Sequence, residues 1–196
     1  MTNSVIIVII VTERYDTMIK MTQLSHYFIA QAIKKKHLIA ADFTCGSGED
    51  TIYLASFDEI ETLYSFDIQL EAIEQAKQKI NLPKTHYICD GHEHMDQYLN
   101  GFDIGIFNFG YFPSGNHQIT TMLETSIIAV KKALQLLHKK GVLLLVLYPG
   151  HDEGQKEAQY FEHFCNELPA HQFMIMKSQM MNRPTAPYII MIEKIR

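Results

Sequence analysis

The sequence predicts an α/β protein with one mostly parallel β-sheet that is closed by an antiparallel hairpin at its carboxyl end. Apolar runs of strand length alternate with amphipathic helical patterns over most of the 196 residues. This alternation is typical of right-handed βαβ crossovers around a parallel sheet that is covered on both faces. The last two β-prone runs have no room for a crossover helix between them, so we expect them to pair antiparallel.

The predicted elements follow one another without a linker or an internal repeat. A first helix begins near Met21, where apolar residues recur at helical spacing, and it ends near the lysine run at 34–36. Strands are predicted over 38–43, 62–66, 86–89, 102–108 and 142–148, helices over about 50–57, 70–80, 119–137 and 154–168, and hairpin strands over 172–179 and 188–193.

Length and hydropathy predict a single domain over residues 21–196. A chain of this size with 47% hydrophobic residues is expected to bury one substantial core. Residues 1–20 are an N-terminal extension, either an upstream segment or an added strand. The apolar run at 5–11 is shorter than the ~20 residues that span a bilayer. No basic segment precedes this run, so we expect neither a signal peptide nor a membrane partner.

The charge and the cysteines of the chain limit its partners. A formal net charge of −5 argues against non-specific coating of nucleic acid, because that mode needs many Lys and Arg against phosphates. The three cysteines show no CxxC spacing, so we expect no disulfide framework or zinc knuckle, and a reducing cytoplasm fits. A local basic face is still compatible with this composition, although lysine runs are usually solvated helix ends. Its candidate positions are 34–36, 131–132, 139–140 and Arg183.

A glycine-rich turn at 42–48 joins the first predicted strand to a helix at the carboxyl edge of the sheet, where ligands bind in such folds. Gly46 and Gly48 let the backbone approach a ligand, while Asp42 could hold an ammonium group directly or through water. Asp67 ends the second strand about 20 residues further on, where a carboxylate can accept both ribose hydroxyls. These signals predict a nucleotide-like ligand, although a plain β-to-α turn also needs the glycines. They do not separate S-adenosylmethionine from NAD.

Three features favour S-adenosylmethionine. Thr51 stands where a third glycine would complete the GxGxxG fingerprint, and Asp90 ends the third strand, where methyltransferases commonly contact the adenine amine. Residues 108–113 are similar to the Asn-Pro-Pro-Tyr loop of amino-group methyltransferases, in which the Asn and a carbonyl accept hydrogen bonds from the target amine. Such acceptors aim the nitrogen lone pair at the methyl group, so catalysis is largely positioning. Tyr111 is the candidate for aromatic stacking; the alternative is a strand-end turn with an Asn cap.

Seven segments together carry a resemblance to a known family: residues 41–44, 46–51, 66–69, 90–94, 107–113, 148–151 and 182–184. They resemble the bacterial family formerly labelled rRNA methylases and later associated with methylation of the tRNA wobble uridine. The resemblance covers nearly everything from Met21 onward. Phe43 and Cys45 occupy variable places in the family's loop, and the first seventeen or so residues match nothing in the family.

The resemblance implies a Rossmann-like class I methyltransferase fold and methyl transfer from S-adenosylmethionine. The implied acceptor is the exocyclic amine of 5-aminomethyl-2-thiouridine at the tRNA wobble position, and the product is 5-methylaminomethyl-2-thiouridine. The partner would be the tRNA anticodon stem-loop, with no DNA and no membrane. The oligomeric state is open, with a homodimer as one arrangement. The alternatives are an rRNA or small-molecule N-methyltransferase, a small NAD-dependent oxidoreductase, and a non-catalytic cofactor-binding module.

The motifs and the resemblance together nominate the site residues. Cofactor contacts are expected from Asp42, Thr44, Gly46, Ser47, Gly48, Asp50, Thr51, Asp67, Gln69, Asp90, Gly91, His92 and Asn108. Substrate contacts are expected from Gly110, Tyr111, Pro113, Pro149 and Arg183. Catalytic roles are expected for Asn108, Tyr111, Tyr148 and His151.

The nominated bases follow from the chemistry of the acceptor. An alkyl amine is mostly protonated at neutral pH and must lose a proton before it attacks, so His151, His92 or Tyr148 could assist as the base. Each of these residues is also compatible with a supporting or surface role. Cys45 lies inside the cofactor loop, so we predict no covalent step. The Gly-His-Glu-His run at 91–94 lacks the histidine pair of HExxH, so we predict no metal.

Overall fold

The computed structural model describes residues 20–110 and 121–196. Its strands, numbered β1 to β7 in chain order, are Leu38–Asp42, Ile60–Asp67, Thr85–Cys89, Phe102–Asn108, Leu137–Leu147, Phe173–Ser178 and Tyr188–Lys194. Its helices, numbered α1 to α5, are Met21–Ala32, Glu49–Ala55, Leu70–Lys79, Leu123–Leu136 and Asp152–Asn166, and a 3-10 helix spans His92–Gln97. The predicted extension falls almost wholly outside the described residues, which begin at Lys20.

The seven strands form one sheet in the order β3-β2-β1-β4-β5-β7-β6. Strands β1 to β5 pair in parallel, while β7 pairs antiparallel with both β5 and β6. This arrangement confirms the prediction of a mostly parallel sheet with an antiparallel terminal hairpin. The strand order reverses direction between β1 and β4, and in open α/β sheets that switch point is where ligands bind.

Strand β5 begins earlier than the sequence pattern predicts, at Leu137 rather than at 142. Leu137 pairs with Phe102 of β4, and the next paired residues are Val142 and Ile104, so the register shifts between the two pairs. Lys140 has a φ of 67° inside this irregular stretch. A bulge of this kind lets a strand carry exposed charged residues that break its apolar run.

Two apolar cores cover the two faces of the sheet. One contains Phe107 of β4 with buried residues of α4 and α5, and the other contains Ile104 and Ile106 of the same strand with buried residues of α1 and α2. The alternation along β4 follows from the two-residue side-chain period of a strand. No helix in the described ranges, 20–110 and 121–196, is long and apolar enough to cross a membrane.

Candidate active site

The glycine-rich turn after β1 is a tight, left-handed structure packed against α3. Gly46 has a φ of 50° and Gly48 a φ of 85°, backbone conformations that residues with a Cβ rarely adopt. A Cβ at Gly48 would lie 2.8 Å from the Cβ of Ala76. The turn therefore needs glycine at position 48 both for its backbone and for its close approach to the next helix.

Asp42 is fully buried beneath the turn, with 0% of its surface exposed. Its carboxylate accepts hydrogen bonds from the backbone N–H of Thr44 at 3.1 Å and from the hydroxyl of Thr51 at 2.6 Å. Burial, reinforced by the nearby charge of Asp50, raises the pKa of Asp42 to about 7. Thr51 thus occupies the third-glycine position because its hydroxyl braces this carboxylate.

Asp67, at the end of β2, is held by the turn after β1 and by the residues that follow β2. It accepts hydrogen bonds from the backbone N–H groups of Gly46 at 2.8 Å and Gln69 at 2.9 Å, one on each oxygen. Burial raises the pKa of Asp67, and these two hydrogen bonds lower it in part. An ionised carboxylate oxygen has two acceptor positions, so each oxygen keeps one for a ligand hydroxyl.

Asp90 and His92 follow β3, at the same edge of the sheet as Asp42 and Asp67. The Asp90 carboxylate accepts from the Gly91 N–H at 2.7 Å, from the Tyr98 hydroxyl at 2.7 Å and pairs with His94 at 2.9 Å. The hydrogen bonds from His94 and Tyr98 lower the pKa of Asp90. His92 Nδ1 lies 3.2 Å from the carbonyl of Phe43, and its buried Nε2 has no partner among the described residues. Burial lowers the pKa of His92, so its Nε2 is an acceptor without a donor.

Asn108, at the end of β4, is held by two side chains. Its backbone N–H donates to the hydroxyl of Thr44 at 2.6 Å, and its Nδ2 donates to Oδ2 of Asp50 at 3.1 Å. The other oxygen of Asp50 lies 2.8 Å from His26 Nε2 on α1. A carboxylate only accepts hydrogen bonds, so this contact fixes the amide with its NH₂ toward Asp50. No described residue donates to the remaining oxygen of Asn108.

Tyr148 and His151 follow β5 on the opposite wall. Burial, with the charges of Asp50 and Glu49, raises the pKa of Tyr148 to about 12, so its phenol stays protonated at neutral pH. His151 Nδ1 accepts from the N–H of Gly154 at 3.1 Å and thereby caps α5. Tyr148 is therefore a hydrogen-bond donor here, and one ring nitrogen of His151 is occupied by the hydrogen bond that caps α5.

A buried carboxylate supports the contact between Gly110 and Thr121, the described residues on either side of residues 111–120. The Thr121 N–H donates to the Gly110 carbonyl at 2.9 Å, and the Gly110 N–H donates to the Thr121 hydroxyl at 3.0 Å. That hydroxyl and the hydroxyl of Ser126 donate to Glu157 at 3.0 and 2.6 Å. Burial raises the pKa of Glu157. Residues 111–120, with the predicted site residues Tyr111 and Pro113, lie outside the described residues.

A cavity of about 780 Å³ lies among these strand ends, at the switch point of the sheet. That volume is in the range of small-molecule and cofactor sites. Its walls include these predicted site residues: Thr44, Gly46, Ser47, Asp50, Asp67, Gln69, Asp90, His92, Asn108, Gly110, Tyr148 and His151. The other predicted residues within the described ranges do not line it: Asp42, Gly48, Thr51, Gly91, Pro149 and Arg183.

Sequence reasoning missed the contribution of α1, and in the terminal hairpin it nominated Arg183 but neither Thr185 nor Pro187. Thr22 of α1 lines the cavity, His26 supports Asp50, and Thr185 and Pro187 bring the connection between β6 and β7 to the cavity wall. A signal for α1 was present, since Thr22 and His26 are polar residues four apart and so lie on one face of the helix. No comparable signal marks Thr185 or Pro187.

Neither a reactive thiol at Cys45 nor a metal-holding cluster is present in the part of the chain described here. Burial raises the pKa of the Cys45 thiol, with a further contribution from the charge of Asp42. A thiol kept protonated in this way is a poor nucleophile. Among residues 20–110 and 121–196, no group of three or more His, Cys, Asp or Glu is placed to hold a metal ion.

Solved structures share this fold over most of the chain. A putative rRNA-methylase from Clostridium thermocellum is 33% identical with a TM-score of 0.83, covering 91% of this chain and 100% of that one. A putative methyltransferase from Streptococcus mutans, solved in complex with SAH, is 32% identical with a TM-score of 0.80, covering 91% and 99%. The fold and its cavity define a class I, S-adenosylmethionine-dependent methyltransferase.

The family follows from the sequence comparisons. The family model described as "Putative rRNA methylase" matches residues 63–194. A chloroplastic tRNA (mnm(5)s(2)U34)-methyltransferase from Arabidopsis thaliana is 31% identical over 193 residues, which cover 89% of this chain and 69% of that protein. The chain belongs to the putative rRNA methylase family, which confirms the resemblance identified in the sequence.

Proposed function

We propose that this methyltransferase acts on the exocyclic amine of 5-aminomethyl-2-thiouridine at the wobble position of tRNA, giving 5-methylaminomethyl-2-thiouridine. The observation that carries the proposal is the fixed amide of Asn108. Its NH₂ donates to Asp50 at 3.1 Å, which leaves its oxygen as an acceptor for an amine N–H. An oxygen held in this way orients the nitrogen of an acceptor amine, and orientation alone supplies a large part of a displacement reaction.

The residues of the first three strand ends fit S-adenosylmethionine. Asp67 keeps one acceptor position on each oxygen for the ribose hydroxyls, and His92 Nε2 is a buried acceptor without a donor. Asp42 lies off the cavity wall, so it would act on a ligand through the turn that it braces. When bound, the cofactor supplies a methyl group on a positively charged sulfur. We assign its binding to Thr44, Gly46, Ser47, Asp67, Gln69, Asp90 and His92.

The opposite wall fits a base that carries a flexible amine. Tyr148 presents a protonated phenol, and Met122, half-exposed at the mouth, offers an apolar surface on which an unstacked base can rest. Arg183 is exposed in the same turn that brings Thr185 and Pro187 to the cavity, a place suited to a backbone phosphate. The sequence motifs add Gly110, Tyr111, Pro113 and Pro149 as proposed acceptor contacts, of which Gly110 lines the cavity.

The choice of tRNA rests on the relatives. The Arabidopsis thaliana protein is named for the uridine at position 34 of tRNA, whereas the family description names rRNA. The two descriptions predict different modified nucleosides, so nucleoside analysis separates them directly.

The test compares modified nucleosides in tRNA and rRNA from a strain lacking the gene, by mass spectrometry. We expect loss of 5-methylaminomethyl-2-thiouridine and accumulation of the unmethylated amine in tRNA, with restoration by the wild-type gene and not by Asn108→Ala. An unchanged tRNA with one rRNA methyl group missing would overturn the tRNA assignment in favour of rRNA. Purified protein should also bind S-adenosylhomocysteine, and a preference for NAD would exclude methyl transfer.

A further inference from the structure

Asp50 is an almost buried carboxylate on the proposed acceptor side of the cavity, and the proposed cofactor contacts give it no role. Only 5% of its side chain is exposed, yet it lines the cavity. One oxygen is 2.8 Å from His26 Nε2, and the other accepts from the Asn108 amide at 3.1 Å. The sequence motif assigned Asp50 to the cofactor, but its partners are the residue that orients the acceptor and a histidine from another helix.

The surroundings of Asp50 favour a cation. Its negative charge is felt across the site, since it contributes to raising the pKa of Asp42, Cys45 and Tyr148. His26 is stacked on Tyr53, with ring centroids 3.8 Å apart, so its ring is held in position against Asp50. The titratable groups facing Asp50 are His26 from α1, Asp42 from β1, Cys45 from the turn, Glu49 from its own helix and Tyr148 after β5.

The three bases nominated from the sequence are less well placed for this proton. Tyr148 stays a protonated phenol, since burial raises its pKa to about 12. His151 uses Nδ1 to cap α5, and His92 lies beside Asp67 with its Nδ1 at the Phe43 carbonyl. Asp50 is the carboxylate in direct contact with the residue that orients the amine.

We infer that Asp50 binds the alkylammonium form of the acceptor and takes its proton, and that His26 is a positioning residue that holds Asp50 for this step. The inference rests on the proposed function, whose acceptor is an aliphatic amine that is protonated at neutral pH, and adds the residue that binds this ammonium and removes its proton. One N–H bond of the ammonium breaks and its electron pair stays on nitrogen. The proton forms an O–H bond on Asp50 and leaves to solvent once the product has dissociated.

The chemistry favours this transfer inside the cavity. An ammonium and a carboxylate are both charged before the transfer and both neutral after it, and burial favours the neutral forms. The neutral amine can then donate to the oxygen of Asn108, which points its lone pair away from that contact.

The first test is the pH dependence of single-turnover methyl transfer to an anticodon stem-loop carrying 5-aminomethyl-2-thiouridine. At pH 7 we expect Asp50→Asn to slow transfer by roughly 100-fold or more, the range for loss of a general base. Between pH 7 and pH 9 the rate of Asp50→Asn should rise about tenfold per pH unit, because solvent then removes the proton. Glu71→Gln is the matched control, since it removes one exposed carboxylate from the first turn of α3. A defect equal at every pH would overturn the inference.

Two further readouts separate this role from a structural or cofactor role. Binding of S-adenosylhomocysteine and the melting temperature of Asp50→Asn should stay close to wild type, and loss of S-adenosylhomocysteine binding would place Asp50 at the cofactor instead. His26→Ala should slow transfer by about tenfold, while His26→Gln, which keeps an N–H donor, should recover most of the rate. Equal rates in these two variants would remove the positioning role.

A probe that needs no RNA keeps the inference distinct from the proposed function. In the S-adenosylhomocysteine complex at pH 7, benzylamine should bind wild type at least tenfold more tightly than Asp50→Asn, and neutral benzyl alcohol should not distinguish them. Equal benzylamine binding would overturn the inference. If wild type methylates no aminomethyl RNA while this difference holds, the tRNA assignment fails and the alkylamine site stands.

Discussion

The two sides of the cavity are built by different kinds of contact. On the side of β1, β2 and β3, carboxylates at the strand ends accept hydrogen bonds from backbone N–H groups. Asp67 holds Gly46 and Gln69, and Asp90 holds Gly91. Backbone N–H groups are present whatever the side chain, so the proposed cofactor side depends mainly on the course of the backbone at these strand ends.

The acceptor side is assembled from distant segments through side chains. Asn108 contacts Asp50 over a separation of 58 residues, and Asp50 contacts His26 over 24. Each link requires that α1, α2 and β4 are already docked on the sheet. The difference teaches that the proposed cofactor side is set by the strand ends, while the proposed acceptor side depends on packing between elements and is more open to change.

Asn108→Ala is the sharpest way to break the acceptor side alone. It removes the oxygen proposed to orient the amine, and we expect methyl transfer to fall by roughly 100- to 1000-fold, as for loss of one preorganised polar contact to the reacting group. Binding of S-adenosylhomocysteine, measured by calorimetry, should change by less than about threefold if the two sides are independent. Asn100→Ala, at an exposed asparagine, is the control. Transfer at the wild-type rate would remove Asn108 from the reaction.

Asp67→Asn should break the cofactor side instead. The carboxamide has one acceptor oxygen where the carboxylate has two, so it cannot satisfy Gly46, Gln69 and a ribose together. We expect the dissociation constant for S-adenosylhomocysteine to rise by roughly 10- to 100-fold, or about 1.4–2.8 kcal/mol. Asp96→Asn, which alters an exposed carboxylate off the cavity wall, is the comparison. An unchanged affinity would show that the ribose contact lies elsewhere.

The same difference explains what the sequence could predict. The turn at 42–48, Asp67 and Asp90 could be nominated from the sequence because glycines in a turn and carboxylates at strand ends form a local pattern. The link from Asn108 to His26 left no such pattern, since it depends on how α1 docks beside α2. The sequence pattern placed the start of β5 too late. The strand begins with charged residues and a register shift, and the apolar pattern detects only the regular part that follows.

Gly48→Ala tests how rigid the turn of the cofactor side must be. The new Cβ would lie 2.8 Å from the Cβ of Ala76, and the alanine would have to adopt a φ of 85°. Left-handed strain and overpacking together should lower the free energy of unfolding by roughly 2–4 kcal/mol. Urea unfolding followed by circular dichroism measures this directly. Gly150→Ala is the matched control, because a Cβ there is 4.0 Å from its nearest neighbour. Equal losses in the two variants would contradict the close packing of the turn on α3.

Asp42→Asn tests whether the carboxyl group beneath the same turn is protonated in the folded protein. The pKa of Asp42 is raised from 3.8 to about 7 by burial and by Asp50, so the folded protein holds this proton more tightly than the unfolded chain does. Its stabilising contribution is therefore complete below about pH 4 and is lost as the pH rises through 7. Between pH 5 and pH 8, the fall in the free energy of unfolding should be smaller in Asp42→Asn than in wild type by roughly 1–3 kcal/mol. The exposed Asp58→Asn should leave that fall unchanged, and parallel pH profiles for wild type and Asp42→Asn would show that Asp42 is ionised throughout.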